Sequence, residues 1–221
     1  MKNIILIAPP AAGKGTQANL LCDKYKLAHI STGDLLRAVA TKEDELSLKI
    51  KEIMQSGRLV SDDIVIELLK ERIKEEDCHN GFVLDGFPRN VNQALSYINL
   101  AQNMNIPIGH FIFIDVPMEI TKKRIVGRLS CKCGAVYNEE INENKPKVDN
   151  TCDLCGSTLI KRSDDNEETF KERYNEYVKE TFPVIDFIEK EGLLHKVNGV
   201  NSKENILEEI SKIIDRGNLW L

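Results

Sequence analysis

The stretch Ala8-Pro9-Pro10-Ala11-Ala12-Gly13-Lys14-Gly15-Thr16 decides how the rest of the chain is read. It lies between a short apolar run, residues 3–8, and a helical pattern from Gly15 to about Tyr25. A strand that turns through small residues into a helix leaves backbone N–H groups and the positive helix end facing one point. A lysine at that turn adds a mobile positive charge. The arrangement predicts a phosphate-binding loop over residues 9–13, with Lys14 bridging two phosphates and Thr16 assisting a phosphate or a metal ion. The match to the general pattern is imperfect. Ala8 stands at the first glycine position, and Gly15 follows the lysine where Ser or Thr is usual. Taken alone, the stretch also fits a helix start with incidental glycines. If Ala11 takes a positive φ, the strain is on the order of 1 kcal/mol.

Outward from this loop, short apolar runs alternate with helical patterns. Strands are expected over residues 27–30, 81–85, 110–115 and 193–197. Helices are expected from near Leu35, over 45–56, 62–75, 92–104 and 119–126, from about Glu167, and over 203–215. Such alternation predicts an α/β chain: a P-loop three-layer fold with a five-stranded parallel sheet covered on both faces. Between about residues 127 and 165 glycines, prolines, cysteines and polar residues replace the helical period, which reads as an inserted subdomain.

The bulk properties agree. A chain of 221 residues suffices for one α/β domain with insertions, and 42% hydrophobic and 29% charged residues are ordinary for a soluble protein. No apolar run reaches membrane-spanning length. Met1-Lys2-Asn3 followed by apolar residues 4–7 is too short for a signal peptide, so the expected location is cytoplasmic, with no membrane partner. A net charge of -5 argues against a nucleic-acid partner. Any polyanionic ligand must then be held by a local cluster of arginines and lysines.

Two further segments supply such a cluster. Ser31-Thr32-Gly33-Asp34-Leu35-Leu36-Arg37 follows the second strand, and Leu84-Asp85-Gly86-Phe87-Pro88-Arg89 ends the third. In a doubly wound sheet, ligands sit beyond the carboxyl ends of the strands, so both segments and the loop converge on one crevice. Asp85 ends its strand as a metal-orienting carboxylate does, and the guanidinium groups of Arg37 and Arg89 suit two-pronged phosphate contacts. His29, His79, His110 and His195 are scattered, and structural or surface roles are expected for all of them.

These segments resemble the nucleoside monophosphate kinases, and within them the adenylate kinases with a long lid. The resemblance covers nearly the whole chain. It rests on Gly13-Lys14-Gly15-Thr16, Ser31-Thr32-Gly33-Asp34, Asp85-Gly86-Phe87-Pro88-Arg89 with Gln93, and Arg162 followed by Asp164-Asp165. It implies a core (residues 1–30, 61–122 and 166–221), a monophosphate-binding insertion (31–60) and a lid (123–165). It implies reversible, magnesium-dependent phosphoryl transfer from ATP to AMP, giving ADP, by a monomer.

By the same resemblance, Ala11, Ala12, Gly13, Lys14, Gly15 and Thr16 would hold the ATP phosphates. Arg124, Val136, Tyr137 and Asn201 would border its base and ribose, with Arg128 nearby. Thr32 and Gln93 would read the adenine of AMP beside Arg58, Leu59 and Val60. Arg37 and Arg89 would hold its phosphate, with Gly86, Phe87, Pro88, Arg162 and Arg173 around it. Lys14, Arg89, Arg128, Arg162 and Arg173 would surround the transferring group, and Asp85 would orient magnesium. Threonine at position 32 favours AMP over pyrimidine acceptors in this family.

Cys131, Cys133, Cys152 and Cys155 fall in one short stretch, a grouping that favours a metal over disulfides and matches a closed structural zinc site. A metal would tie together a lid too small to build its own core. A single residue, Lys132, separates the first pair where zinc-lid relatives have two, a spacing expected to strain coordination by all four. Cys22 and Cys78 read as small buried apolar residues. Rival readings are a kinase with a GTP donor or another acceptor, a P-loop GTPase, and a zinc module that binds nucleic acid. Asn144-Lys145-Pro146-Lys147 does not supply the Asn-Lys-x-Asp base recognition of the second.

Overall fold

The computed structural model describes residues 1–42, 44–141, 144–162 and 165–217. The first half runs β1 (Lys2–Ile7), α1 (Lys14–Tyr25), β2 (Ala28–Ser31), α2 (Thr32–Val39), α3 (Glu45–Gln55), α4 (Asp62–Ile73), β3 (Gly81–Asp85) and α5 (Val91–Asn103). The second half runs β4 (His110–Asp115), α6 (Met118–Val126), β5 (Arg128–Ser130), β6 (Val136–Asn138), α7 (Glu167–Glu176), α8 (Phe182–Lys190), β7 (Leu194–Asn198) and α9 (Lys203–Asp215). A π turn, Tyr177–Thr181, joins α7 to α8.

Five strands form one parallel sheet in the order β2-β3-β1-β4-β7. The inner strands β1, β3 and β4 are buried along nearly their whole length because both faces are covered, while the edge strands β2 and β7 are more polar and less buried. The pleat divides them by parity. Ile5, Ile7, Phe82, Leu84, Phe111 and Phe113 face a core completed by Leu36 of α2, Ile50 of α3, Leu69 of α4, Tyr97 of α5 and Ile188 of α8. Ile4, Leu6, Val83, Ile112 and Ile114 face the other core, with Ala18 and Leu21 of α1 and Ile210 and Ile214 of α9.

Strand order reverses at β1: the chain passes from β1 outward to β2, returns through β3, then crosses to β4. Leu6 pairs with Asp85, and Asp85 with Ser31. The segments after β1, β2 and β3 therefore leave the sheet side by side. α2 begins at Thr32, three residues ahead of the position expected from sequence, because the Ser31 side chain caps the helix by accepting from Asp34 N at 3.2 Å. Thr32, Gly33 and Asp34 thus lie in a first helical turn rather than in a loop.

Residues 127–165 hold structure that periodicity did not reveal. β5 and β6 pair antiparallel, and Ser130 bridges to Ile160. Leu129, Cys131, Cys152 and Leu159 are buried together, with Ala135 and Tyr137 against them. The segment therefore does have a core, a small one, and two of its cysteines are part of it. Asp164 and the end of the tail, residues 218–221, lie outside the described residues.

Candidate active site

The loop after β1 closes through two left-handed residues. Ala11 has φ 59° and Gly13 has φ 97°. Glycine adopts this region freely, while at Ala11 it costs about 1–2 kcal/mol. The sequence left the conformation of Ala11 open, and the structure puts it in the strained region. Lys14 opens α1, and its Nζ donates to the carbonyl oxygens of Ala8 at 2.9 Å and Pro9 at 3.2 Å. Burial lowers the Lys14 ammonium to about 8; Asp85 opposes that shift, and Arg89, Arg128 and Arg173 add to it. Burial also resists ionisation of Asp85, but His29, Lys14 and Arg89 outweigh it and hold the carboxyl below its ordinary range.

On the other side of the crevice, Arg89 is fixed through its backbone. Its N–H donates to Gln93 Oε1 at 2.8 Å, and its carbonyl accepts from Thr181 Oγ1 at 2.8 Å. Its Nε donates to Gly86 O at 2.8 Å. The Thr32 hydroxyl donates to the same carbonyl at 2.9 Å, so its lone pairs are left to accept. Gly86 has φ 81°, and a side chain there would crowd Thr32 Oγ1 at 3.1 Å. Arg37 Nη2 donates to Asp34 Oδ1 at 2.5 Å. Both groups are exposed, so the pair is worth about 0–1 kcal/mol and yields readily to a stronger anion.

The segment 123–165 and α7 bring more cations. Arg128 makes a two-pronged ion pair with Asp165, and Arg173 Nη1 lies 3.9 Å from the same carboxylate. Arg124 donates to the carbonyls of Ala12 at 3.2 Å and Gly199 at 3.4 Å. Burial lowers the guanidinium pKa of Arg89, Arg124 and Arg162; neighbouring arginines lower Arg89 and Arg162 further. Desolvated cations that disfavour their own charge form a ready binding surface for a polyanion.

Every residue assigned to a nucleotide from the sequence borders one cleft of about 1190 Å³. That exceeds the roughly 300–1,000 Å³ of a pocket for one drug-sized ligand. The loop and Lys14 line it together with Arg124, Val136, Tyr137 and Asn201. Thr32, Arg37, Arg58, Leu59, Val60 and Gln93 line it too, with Asp85, Arg89, Arg128, Arg162 and Arg173 also on the wall. Tyr137 additionally turns its hydroxyl to the cysteines, 3.6 Å from Cys152 Sγ.

The four sulfurs lie within 4.8 Å of one another. Cys131 Sγ is 3.4 Å from Cys155 Sγ, and Cys133 Sγ is 3.6 Å from Cys152 Sγ. Zn–S bonds of about 2.3 Å in a tetrahedron put neighbouring sulfurs roughly 3.8 Å apart. The short Cys131-Lys132-Cys133 spacing does not keep the thiols apart, because Gly134 N donates to Cys131 O at 3.0 Å and folds the turn tightly. Burial opposes a Cys152 thiolate, yet the Tyr137 hydroxyl and the N–H groups of Cys155 and Leu154 bring its pKa to about 6. Cys131 receives the N–H of Cys133, but burial and the sulfurs beside it push it up to about 12. One thiolate suppresses the next, a conflict that a bound divalent cation would remove. The donor set fits zinc.

A sequence model of the family described as Adenylate kinase matches residues 6–193. The chain belongs to the adenylate kinase family. A relative named Adenylate kinase from Methanosarcina barkeri (strain Fusaro / DSM 804) is 44% identical over 214 residues, which cover 97% of this chain and 99% of the relative. Another of that name from Archaeoglobus fulgidus is 45% identical over 97% of this chain and 98% of its own length. One from Clostridium tetani is 43% identical over 96% and 98%. A P-loop kinase fold with a five-stranded parallel sheet is what the coordinates show.

Sequence reading missed several residues of this site. His29, expected to be structural or at the surface, borders the cleft with Nε2 3.8 Å from Asp85 Oδ2. The signal was available: His29 lies two residues before Ser31 on the same strand, hence on the same side as the residue beside Asp85. Thr181 and Asp62 hold Arg89 and Gln93 from distant points of the chain, and no local motif marks them; Asn90, three residues before Gln93, caps the helix that carries it.

Proposed function

We propose that the chain transfers the terminal phosphoryl group of ATP to AMP, reversibly, giving two molecules of ADP. The observation that carries this reading is one large cleft whose lining holds the Lys14 loop together with Arg37, Arg89, Arg128, Arg162 and Arg173. Two phosphorylated ligands fit such a space head to head. Phosphoryl transfer between them asks for alignment and charge neutralisation, and the accepting phosphate oxygen is already ionised, so no general base is needed. Lys14 leaves the carbonyls of Ala8 and Pro9 for the donor phosphates, and Arg37 exchanges Asp34 for the acceptor phosphate. Arg89, Arg128, Arg162 and Arg173 stabilise charge on the group in transfer and keep water from it. Magnesium bound with the donor would neutralise phosphate charge, and Asp85 is the carboxylate that would orient it.

The finer parts of this reading are as follows. Residues 31–60 serve as the acceptor-binding unit and 123–165 as a lid over the donor, on a core of 1–30, 61–122 and 166–221. Cys131, Cys133, Cys152 and Cys155 hold a structural zinc ion that stiffens the lid and takes no part in the reaction. The working form is a cytoplasmic monomer; among the described residues no helix is long and apolar enough to cross a membrane. A coupled assay for ADP from ATP, AMP and magnesium tests the reaction. Lys14→Ala is the control, and a wild type no better than this variant refutes the proposal.

A further inference from the structure

Gln93 is buried, and its amide is held at both ends. Oε1 accepts from the backbone N–H of Arg89 at 2.8 Å, and Nε2 donates to Asp62 Oδ1 at 2.6 Å. A backbone N–H can only donate, and an ionised carboxylate can only accept. Turning the amide over would set oxygen against carboxylate and nitrogen against N–H, replacing two hydrogen bonds with two repulsions. The nearly symmetrical amide therefore has one orientation here, and Asp62 supplies the half of the lock that comes from a side chain.

Asp62 is itself fixed. It is the first residue of α4 and accepts from Asn90 Nδ2 at 2.9 Å (Oδ1) and 3.1 Å (Oδ2). Asn90 caps α5, its Oδ1 accepting from Gln93 N at 2.8 Å. The three residues close a ring that joins the start of α4 to the start of α5.

An amide has two N–H groups and two oxygen lone pairs, so the locked Gln93 keeps one donor and one acceptor beyond the ring. Gln93 borders the cleft with Thr32, Leu59 and Val60. A donor beside an acceptor matches the edge of a 6-aminopurine, whose N1 accepts and whose amino group donates. A 6-oxopurine presents the reverse order, N1–H donating and O6 accepting, and would be matched only by the inverted amide.

We propose that Asp62 sets the preference for a 6-amino over a 6-oxo purine monophosphate by holding the Gln93 amide in one orientation. This rests on the reading of Gln93 as a base-contacting residue. Asp62 is a positioning residue: it acts through Gln93.

The test is steady-state kinetics with AMP and with inosine monophosphate as acceptors at saturating ATP. Asp62→Ala is expected to raise KM for AMP about tenfold with little change in kcat, and to narrow the AMP preference in kcat/KM by a similar factor. Asp62→Asn keeps an oxygen that accepts from Nε2, and is expected to restore the preference. A merely loosened α4 would affect both acceptors alike and leave the ratio intact. An unchanged ratio in Asp62→Ala, with a collapsed ratio in Gln93→Ala, overturns the proposal and leaves the reading of Gln93 standing. A Gln93→Ala variant with unaltered KM for AMP overturns both. Should Asp62→Ala not fold, Asp62→Ser, too short to reach Nε2, is subject to the same outcomes.

Discussion

Arg128 and Asp165 are joined at two points: Arg128 Nε donates to Oδ2 at 2.7 Å while Nη2 donates to Oδ1 of a completely buried carboxylate. The arginine opens the β5 hairpin, and the aspartate lies two residues ahead of α7. One anion thus ties both ends of the 123–165 segment together and shares its charge with Arg173.

Removing the buried anion takes from Arg128 the carboxylate that holds it at two points. Loss of one partner of a buried pair costs about 3 kcal/mol or more. Asp165→Ala should therefore melt roughly 6–12 °C below wild type, as expected for a chain of this size. Scanning calorimetry measures it, and an unchanged melting temperature would show that the pair contributes little.

Lys14 carries a dependence on pH. Its folded pKa of about 8 lies below its ordinary value of 10.5. Between these values the unfolded chain binds more protons than the folded one, so stability rises with pH through that window and the burial penalty is fully present below it. Nucleotide binding acts in the opposite sense, because donor phosphates favour the charged ammonium. ATP binding at pH 9 should take up toward about one proton, and affinity should fall as pH rises above about 8. Titration calorimetry in buffers of different ionisation enthalpy reads this uptake. Persistence of the uptake in Lys14→Ala would assign it to another group.

The cysteine cluster predicts one zinc ion per chain. Chelation should release it and lower the melting temperature, since the buried Cys131 and Cys152 belong to the small core of the segment. Elemental analysis with thermal melts before and after chelation checks both parts. A metal-free preparation that melts like the untreated protein would remove zinc from the account.

Much of the fold was legible in the chain. The β-strands at 81–85 and 110–115 and the helix at 203–215 have the bounds their apolar patterns predict, because a strand buried on both faces must be apolar throughout and a one-sided helix must be amphipathic. The start of α2 was misplaced, because the reach of the Ser31 hydroxyl to Asp34 N fixes it and hydrophobic period does not. The β5–β6 hairpin was missed because strands of three residues are too short for alternation to register. The motifs around Lys14, Thr32, Asp85 and Arg89 could be found because the residues of each are adjacent in the chain.

The sequence by itself determined the five strands of the main sheet and the helices between them, the phosphate loop and the supply of arginines, since each depends on neighbours a few residues apart. Only the tertiary structure decided that His29 stands at Asp85, that Asp165 anchors Arg128, and that Asp62 fixes the Gln93 side chain. Those contacts join points tens of residues apart, and their partners are ordinary polar residues until the sheet brings them within hydrogen-bond reach. It also settled that a one-residue cysteine spacing still gathers four sulfurs, because the turn at Gly134, not the count of intervening residues, sets where the thiols point.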